Sequence, residues 1–191
     1  EILDTGVFDE QRYFDVFVEY AKSSEEQILM RIEVINRGAE AAKIHVIPQI
    51  WFRNTWSWGE DNEKPSLQLD ENHAGAVLVE HPEVGRFRLE SDASPATHFC
   101  ENETNFPRVF NAESKTLHPK DAINDAIVDG AKDATNPKNH GTKAGLEHIL
   151  ELGPGESSVL RLRLDPQDAD DRNEAFDDTV ARRREECDRF F

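Results

Sequence analysis

The chain has 191 residues, 37% hydrophobic and 32% charged, with a formal net charge of −17. That is enough apolar material for the core of one domain, or one domain with an appendage, and the negative field argues against nucleic acid and anionic membranes as partners. No run of about 18 apolar residues occurs, which excludes a helix that spans a membrane.

In YFDVFVEYA, Phe14, Val16, Val18 and Tyr20 fall on one face, with Tyr13, Asp15, Phe17 and Glu19 on the other. In QILMRIEVINR, Ile28, Met30, Ile32 and Val34 alternate with Leu29, Arg31, Glu33 and Ile35. A period of two over this length predicts half-buried strands, and the polar turn KSSEEQ between them predicts an antiparallel hairpin. RGAEAA (37–42) is the next turn. KIHVIPQIWFRN then reads as a third strand, with a bulge or an edge at Pro48 because proline lacks the ladder donor.

Further strands are expected at 75–81, 85–91, 97–100, 146–152 and 157–165, with turn chemistry in HPEVG and GPGE. Many short strands with regular punctuation predict a mainly β fold, a two-sheet antiparallel β-sandwich. Residues 101–145 are irregular apart from a short helix near 121–130. From about Asn173 the chain reads as a helix with Phe176, Val180, Cys187 and Phe191 on one stripe. Acidic residues at its start, with Arg182, Arg183 and Arg184 near its end, complement the helix dipole. The expected division is a β-sandwich over 1–170 and a helical linker over 171–191.

Cys100 and Cys187 lie far apart without metal-ligand spacing and read as free thiols of a reducing, cytoplasmic compartment. No leader pattern opens the chain, and it begins at Glu1, which reads as a piece excised from something longer.

WFRNTWSW (51–58) holds all three tryptophans. Continued alternation from Ile44 places Trp56 and Trp58 with Ile50 and Phe52 in the core, and Trp51 and Arg53 on the polar face. An exposed indole beside a guanidinium suits a sugar ring. It equally suits an interdomain contact or ordinary packing under a loop. A bulge at Pro48 would exchange the two faces.

Asp4, Asp9, Glu10 and Asp15 are carboxylates of the kind that glycoside hydrolysis pairs, but with 39 acids in the chain chance proximity is expected and no pair is singled out. Asn102-Glu103-Thr104 matches a glycosylation sequon, which matters only in a secretory compartment. Glu101, Asn102, Glu103 and Asn105 read either as the lining of a polar cleft or as an ordered loop bonded to itself. The seven histidines are scattered without zinc spacing, NPKNHGTKAG lacks the phosphate-loop spacing, and no nucleophile elbow occurs, so no cofactor or metal is expected.

The blocks LDTGVFDEQRYFDVFVEYAK, RIEVINRG, PQIWFRNTWSWG, FCENETNF and NPKNHGTKA, in that order, resemble the amino-terminal region of large bacterial glucosidase-like proteins. Those proteins are related to the mannosyl-oligosaccharide glucosidases of glycoside hydrolase family 63. The resemblance covers roughly residues 3 to 165. It implies a β-super-sandwich of the galactose mutarotase-like kind, packed against a carboxy-terminal (α/α)6 barrel that holds the catalytic acid and base. It also implies hydrolysis of α-glucosidic bonds with inversion. No barrel motif is present, so no catalytic residue carries over.

The expected role is therefore a non-catalytic domain that braces the barrel, with Trp51, Arg53, Asn54 and Trp56 as its contact with substrate or with the neighbouring domain. The expected partners are that barrel and an oligosaccharide. A free-standing carbohydrate-binding module and a purely structural domain are the alternatives.

Overall fold

The computed structural model describes residues 2–59, 63–167, 169 and 175–191. In chain order its strands are β1 (Phe14–Lys22), β2 (Ile28–Asn36), β3 (Ala42–Val46), β4 (Gln49–Trp51), β5 (Ser66–Leu69), β6 (Val77–His81), β7 (Gly85–Ser91), β8 (Ala96–Cys100), β9 (His140–Gly141), β10 (Lys143–Leu152) and β11 (Ser157–Pro166). The helices among the described residues are α1 (Phe106–Phe110), α2 (Ala122–Val128) and α3 (Phe176–Phe190). The fold class is the expected one: mainly β, two antiparallel sheets, a short helix near 121–130 and a helix at the end.

The chain divides into two compact units. Unit 1 is Glu1–Val46, Glu90–Ala93 and His148–Phe191; unit 2 is Ile47–Leu89 and Ser94–Glu147.

In unit 1, β2 lies between β1 and β11, antiparallel to both. The predicted hairpin forms, with Val16 opposite Val34 and Val18 opposite Ile32. Leu160 and Leu162 of β11 continue the same face, opposite Ile32 and Met30. Ile32, Val34, Leu160 and Leu162 are buried, whereas Val16, Val18 and Tyr20 on the outer strand β1 are exposed.

The opposite face carries α3, whose Val180 packs with Ala21 and Leu29 while Phe176 closes the cluster. The predicted apolar stripe is thus real only in its first half: Cys187 is exposed, and so is Phe191. Arg183 and Arg184 stand mid-helix rather than at its end. Arg184 pairs with Glu19 of β1, and Arg183 donates to the Lys22 carbonyl at 2.8 Å and pairs with Glu186. Their work is lateral anchoring, so the expected dipole role falls to Arg189 in the last turn. Residues 173 and 174, where that helix was expected to begin, lie outside the described residues.

His148, on β10 opposite Val46, is buried with no hydrogen-bond partner for Nε2. Burial pushes its imidazole below the ordinary value near 6.5, against the opposing charge of Asp92. Below about pH 6.5 the unfolded chain therefore binds a proton at this site that the folded chain refuses. Stability should fall as the pH drops from about 6.5 and stop falling, for this group, once the folded imidazole is also protonated. In urea titrations at pH 7.5 and 5.5, His148→Phe should show a smaller stability difference between the two pH values than the parent protein. An unchanged difference removes His148 as a source of acid sensitivity.

In unit 2, the array β7–β6–β5–β9 is antiparallel throughout, built on buried Leu67, Val77, Val79 and Leu89. The first half of β10 pairs with β8 on one side and β4 on the other. Cys100, at the end of β8, sits in a cluster with Ala122 and Ile123 of α2. Burial pushes its thiol up to about 12, so it behaves as a small apolar side chain. Asp70 of this unit is buried and held by Arg88 at 3.0 Å and His73 at 3.0 Å.

Pro48 interrupts the third predicted strand as expected, splitting it into β3 and β4. It does not shift the register. Leu146 donates to the Pro48 carbonyl at 2.9 Å, and β10 pairs with β3 and with β4 in one continuous register. Proline removes a donor here but keeps its acceptor, so the faces are not exchanged.

Candidate functional site

Alternation holds as far as the third strand runs, and that strand ends at Trp51. Beyond it the chain leaves the sheet, and Trp56–Trp58 form a single 3-10 turn. The Asn54 side chain accepts from the Ser57 backbone N–H at 3.2 Å, and Trp58 N–H donates to the Thr55 carbonyl at 3.1 Å. An asparagine that caps its own turn is a common way to stop a strand.

The division of the tryptophans changes accordingly. Trp51 is exposed, as expected from its parity. Trp58, expected in the core, is 67% exposed. Trp56, also expected there, is half-buried at the surface, with its indole N–H donating to Glu103 Oε1 at 3.2 Å. The Arg53 guanidinium lies 5.1 Å from the centre of the Trp58 ring, a cation–π contact.

These residues are pinned to the loop after β8 by a closed set of bonds. Asn54 Nδ2 donates to the Asn102 carbonyl at 3.0 Å, and Asn102 Nδ2 donates to the Phe52 carbonyl at 2.8 Å. Asn102 N–H donates to Thr142 Oγ1 at 2.8 Å, and that hydroxyl donates to Glu101 Oε2 at 2.8 Å. Lys64 bridges Glu101 at 2.9 Å and Glu103 at 3.0 Å. Burial pushes the Lys64 ammonium down, but the two carboxylates outweigh it and hold the ammonium above its ordinary range. Asn105 caps α1 by accepting from Arg108 N–H and donates to Asp121. The loop expected either to line a cleft or to bond to itself is bonded chiefly to other segments, residues 52–56, Lys64 and Thr142, with local bonds from Asn105, and its Asn102 and Thr104 also line an open depression.

What remains open is a depression of about 530 Å³ lined by Trp51, Asn54, Ser57, Trp58, Asn102, Thr104, Lys120 and Lys143. Trp51 and Lys143 face each other across the β4–β10 pair. Lys143 is on a strand paired on both sides, and its Nζ donates to the Lys120 carbonyl at 3.0 Å. The floor is thus held by sheet bonds and the rim by the Asn54–Asn102 exchange. Two exposed indoles offer flat apolar faces, while the amides, hydroxyls and ammonium groups offer donors and acceptors. That combination can take a ring with one apolar face and a polar edge.

Of the four residues singled out from the sequence, Trp51 and Asn54 line this depression. Arg53 covers Trp58 and faces a second hollow, with Phe52 and His81. Trp56 turns to Glu103 and Lys64. Trp58, Lys120 and Lys143 belong to the site and were not foreseen. Of the amino-terminal acids, Asp15 pairs with Arg37 at 2.6 Å and Glu10 with Arg12. Among the described residues no group of three His, Cys, Asp or Glu side chains could hold a metal ion, and no helix is long and apolar enough to cross a membrane.

No protein-family model matches the chain. It is 29% identical to the uncharacterized protein YMR196W of Saccharomyces cerevisiae, over 94% of this chain and 20% of that protein. The crystal structure of a "Putative aldose 1-epimerase" from Escherichia coli K12 aligns with 81% of this chain and 60% of that one, with a TM-score of 0.41 and 12% identity. The chain thus spans about a fifth of the length of the yeast relative it matches.

Proposed function

We propose that this chain is a non-catalytic β-domain of a larger cytoplasmic α-glucosidase-like glycoside hydrolase, and that the depression between Trp51 and Trp58 faces carbohydrate. The observation that carries the reading is the pair of exposed indoles around a fixed set of amides and hydroxyls. Sugar rings stack their CH faces on indole and direct their hydroxyls to such groups. The resemblance of the WFRNTWSWG block to family 63-related proteins supports the same assignment. A bracing role toward a catalytic (α/α)6 barrel fits the exposed half of the α3 stripe, since an aromatic such as Phe191 gains most when covered.

The test is an intrinsic fluorescence titration of this chain with maltotriose. A saturable change is expected, and Trp51→Ala and Trp58→Ala should each weaken binding about tenfold, the worth of one lost aromatic stack. Flat titrations with maltotriose and with simple glucose derivatives, neutral and charged, up to their solubility sink the carbohydrate reading and leave a purely structural domain. The same chain should release no nitrophenol from a nitrophenyl α-glucoside; turnover would show that it is catalytic after all.

A further inference from the structure

From the charge distribution at the depression we infer that its ligand is a glucose unit carrying a phosphate group rather than a neutral sugar. This rests on the carbohydrate reading above and names the substrate class of that same site.

The chain carries 39 acidic against 22 basic residues, yet none of the described residues that line the depression is acidic, and two are lysines. The described acids beside the lining residues Asn102, Thr104 and Lys120 are already committed. Glu101 and Glu103 share Lys64, and Asp121 and Asp125 share Arg108. Lys120 and Lys143 have no such carboxylate partner among the described residues. Lys143 spends one donor on the Lys120 carbonyl, which draws the two residues together and leaves its remaining donors for a ligand.

A neutral sugar is usually held by carboxylates that accept from its hydroxyls, and the described lining supplies none. Two ammonium groups beside exposed indoles ask instead for a compact, multiply charged anion attached to a stacking ring. Lysine suits phosphate as a point charge. The register supports the geometry, because Lys143 stands directly across the β4–β10 pair from Trp51. A ring on Trp51 therefore places its substituents within reach of that ammonium. About 530 Å³ is ample for one or two sugar rings.

The test compares glucose 6-phosphate, methyl α-glucoside, glucuronate and inorganic phosphate by calorimetry and tryptophan fluorescence in a phosphate-free buffer. Glucose 6-phosphate should bind at least tenfold more tightly than methyl α-glucoside, with a fluorescence change. Lys143→Gln should abolish that advantage and Lys143→Arg should retain it. Lys120→Gln, at an exposed position, gives the same reading should the strand variant fold poorly.

Equal affinity for methyl α-glucoside and glucose 6-phosphate overturns the inference while leaving the carbohydrate reading in place. Inorganic phosphate binding as tightly as the sugar phosphate overturns it in favour of a bare anion site. Equal binding of glucuronate overturns the assignment of phosphate. If neither these sugars nor maltotriose binds, both readings fall together.

Discussion

Gly141→Ala is expected to lower the stability of the protein by about 3 kcal/mol or more, the upper range for forced overpacking. A Cβ built at Gly141 falls 2.2 Å from the Cys100 carbonyl oxygen and 2.9 Å from its carbon. Both are backbone atoms, so no rotamer change relieves the clash. One strand must move, and both candidates are tied down. Gly141 pairs with Leu67 in β5, while Thr142 N–H donates to that same Cys100 carbonyl at 3.1 Å.

The consequence reaches the site, because the Thr142 hydroxyl holds the backbone of Asn102 and the carboxylate of Glu101. Separating residue 141 from residue 100 unseats the loop that carries the Asn54–Asn102 exchange. Urea unfolding followed by circular dichroism should show the lost stability. A variant that still folds should show a weakened fluorescence response to sugar. A loss under about 1 kcal/mol would falsify the close approach at residue 100.

The second large effect belongs to unit 1. Asn36 is 1% exposed, and its amide is fully used. Nδ2 donates to the carbonyls of Glu40 and Leu152, each at 2.8 Å, while Oδ1 accepts from Gly38 N–H at 2.9 Å. The backbone of Asn36 also exchanges bonds with Glu156 and Gly155. One side chain thereby joins the turn after β2 to the end of β10.

Asn36→Ala strips three backbone groups of their partner, and the buried Leu152 carbonyl cannot turn to water. The expected cost is about 3 kcal/mol or more, from two buried orphans, the Leu152 carbonyl and the Gly38 N–H, and one partly solvated one. Asn36→Asp is nearly the same shape but sets an acceptor against two carbonyl oxygens. It should be at least as damaging at pH 7 and recover in part at acid pH, when the carboxyl protonates and can donate again. If the aspartate variant matches the parent at neutral pH, these bonds are not made in solution.

The parts of this fold that the sequence announces are those where one physical rule acts along a continuous stretch. The β1–β2 hairpin is plain because Val16, Val18 and Tyr20 must face Val34, Ile32 and Met30 if the face is to be apolar at all. Pro48 is legible as an interruption, since the missing donor is a property of the residue itself. β5, four residues long after Pro65, and β9, two residues long, leave no period to detect.

Trp58 was misplaced because parity was carried past Asn54, where turn chemistry takes over from strand geometry. Asn-Thr-Trp-Ser-Trp-Gly held the signal: a turn-forming asparagine with a serine three residues on. Lys120 and Lys143 had no local signal. Lys143 meets Trp51 only because β10 pairs with a strand some ninety residues earlier, and a single chain gives no account of that pairing.

The outer strand β1 has a consequence for how this protein behaves in bulk. Its free edge exposes Val16, Phe17, Val18 and Tyr20, a surface that could continue into a strand of another molecule. At neutral pH each molecule carries a charge of −17, and mutual repulsion keeps such edges apart. Toward the isoelectric point near 4.7 that repulsion vanishes while the edge stays as it is. Solubility in mild acid should then depend on this strand. A single lysine on its exposed face, at Val18, would guard the edge sterically and by charge at every pH at which the protein is handled.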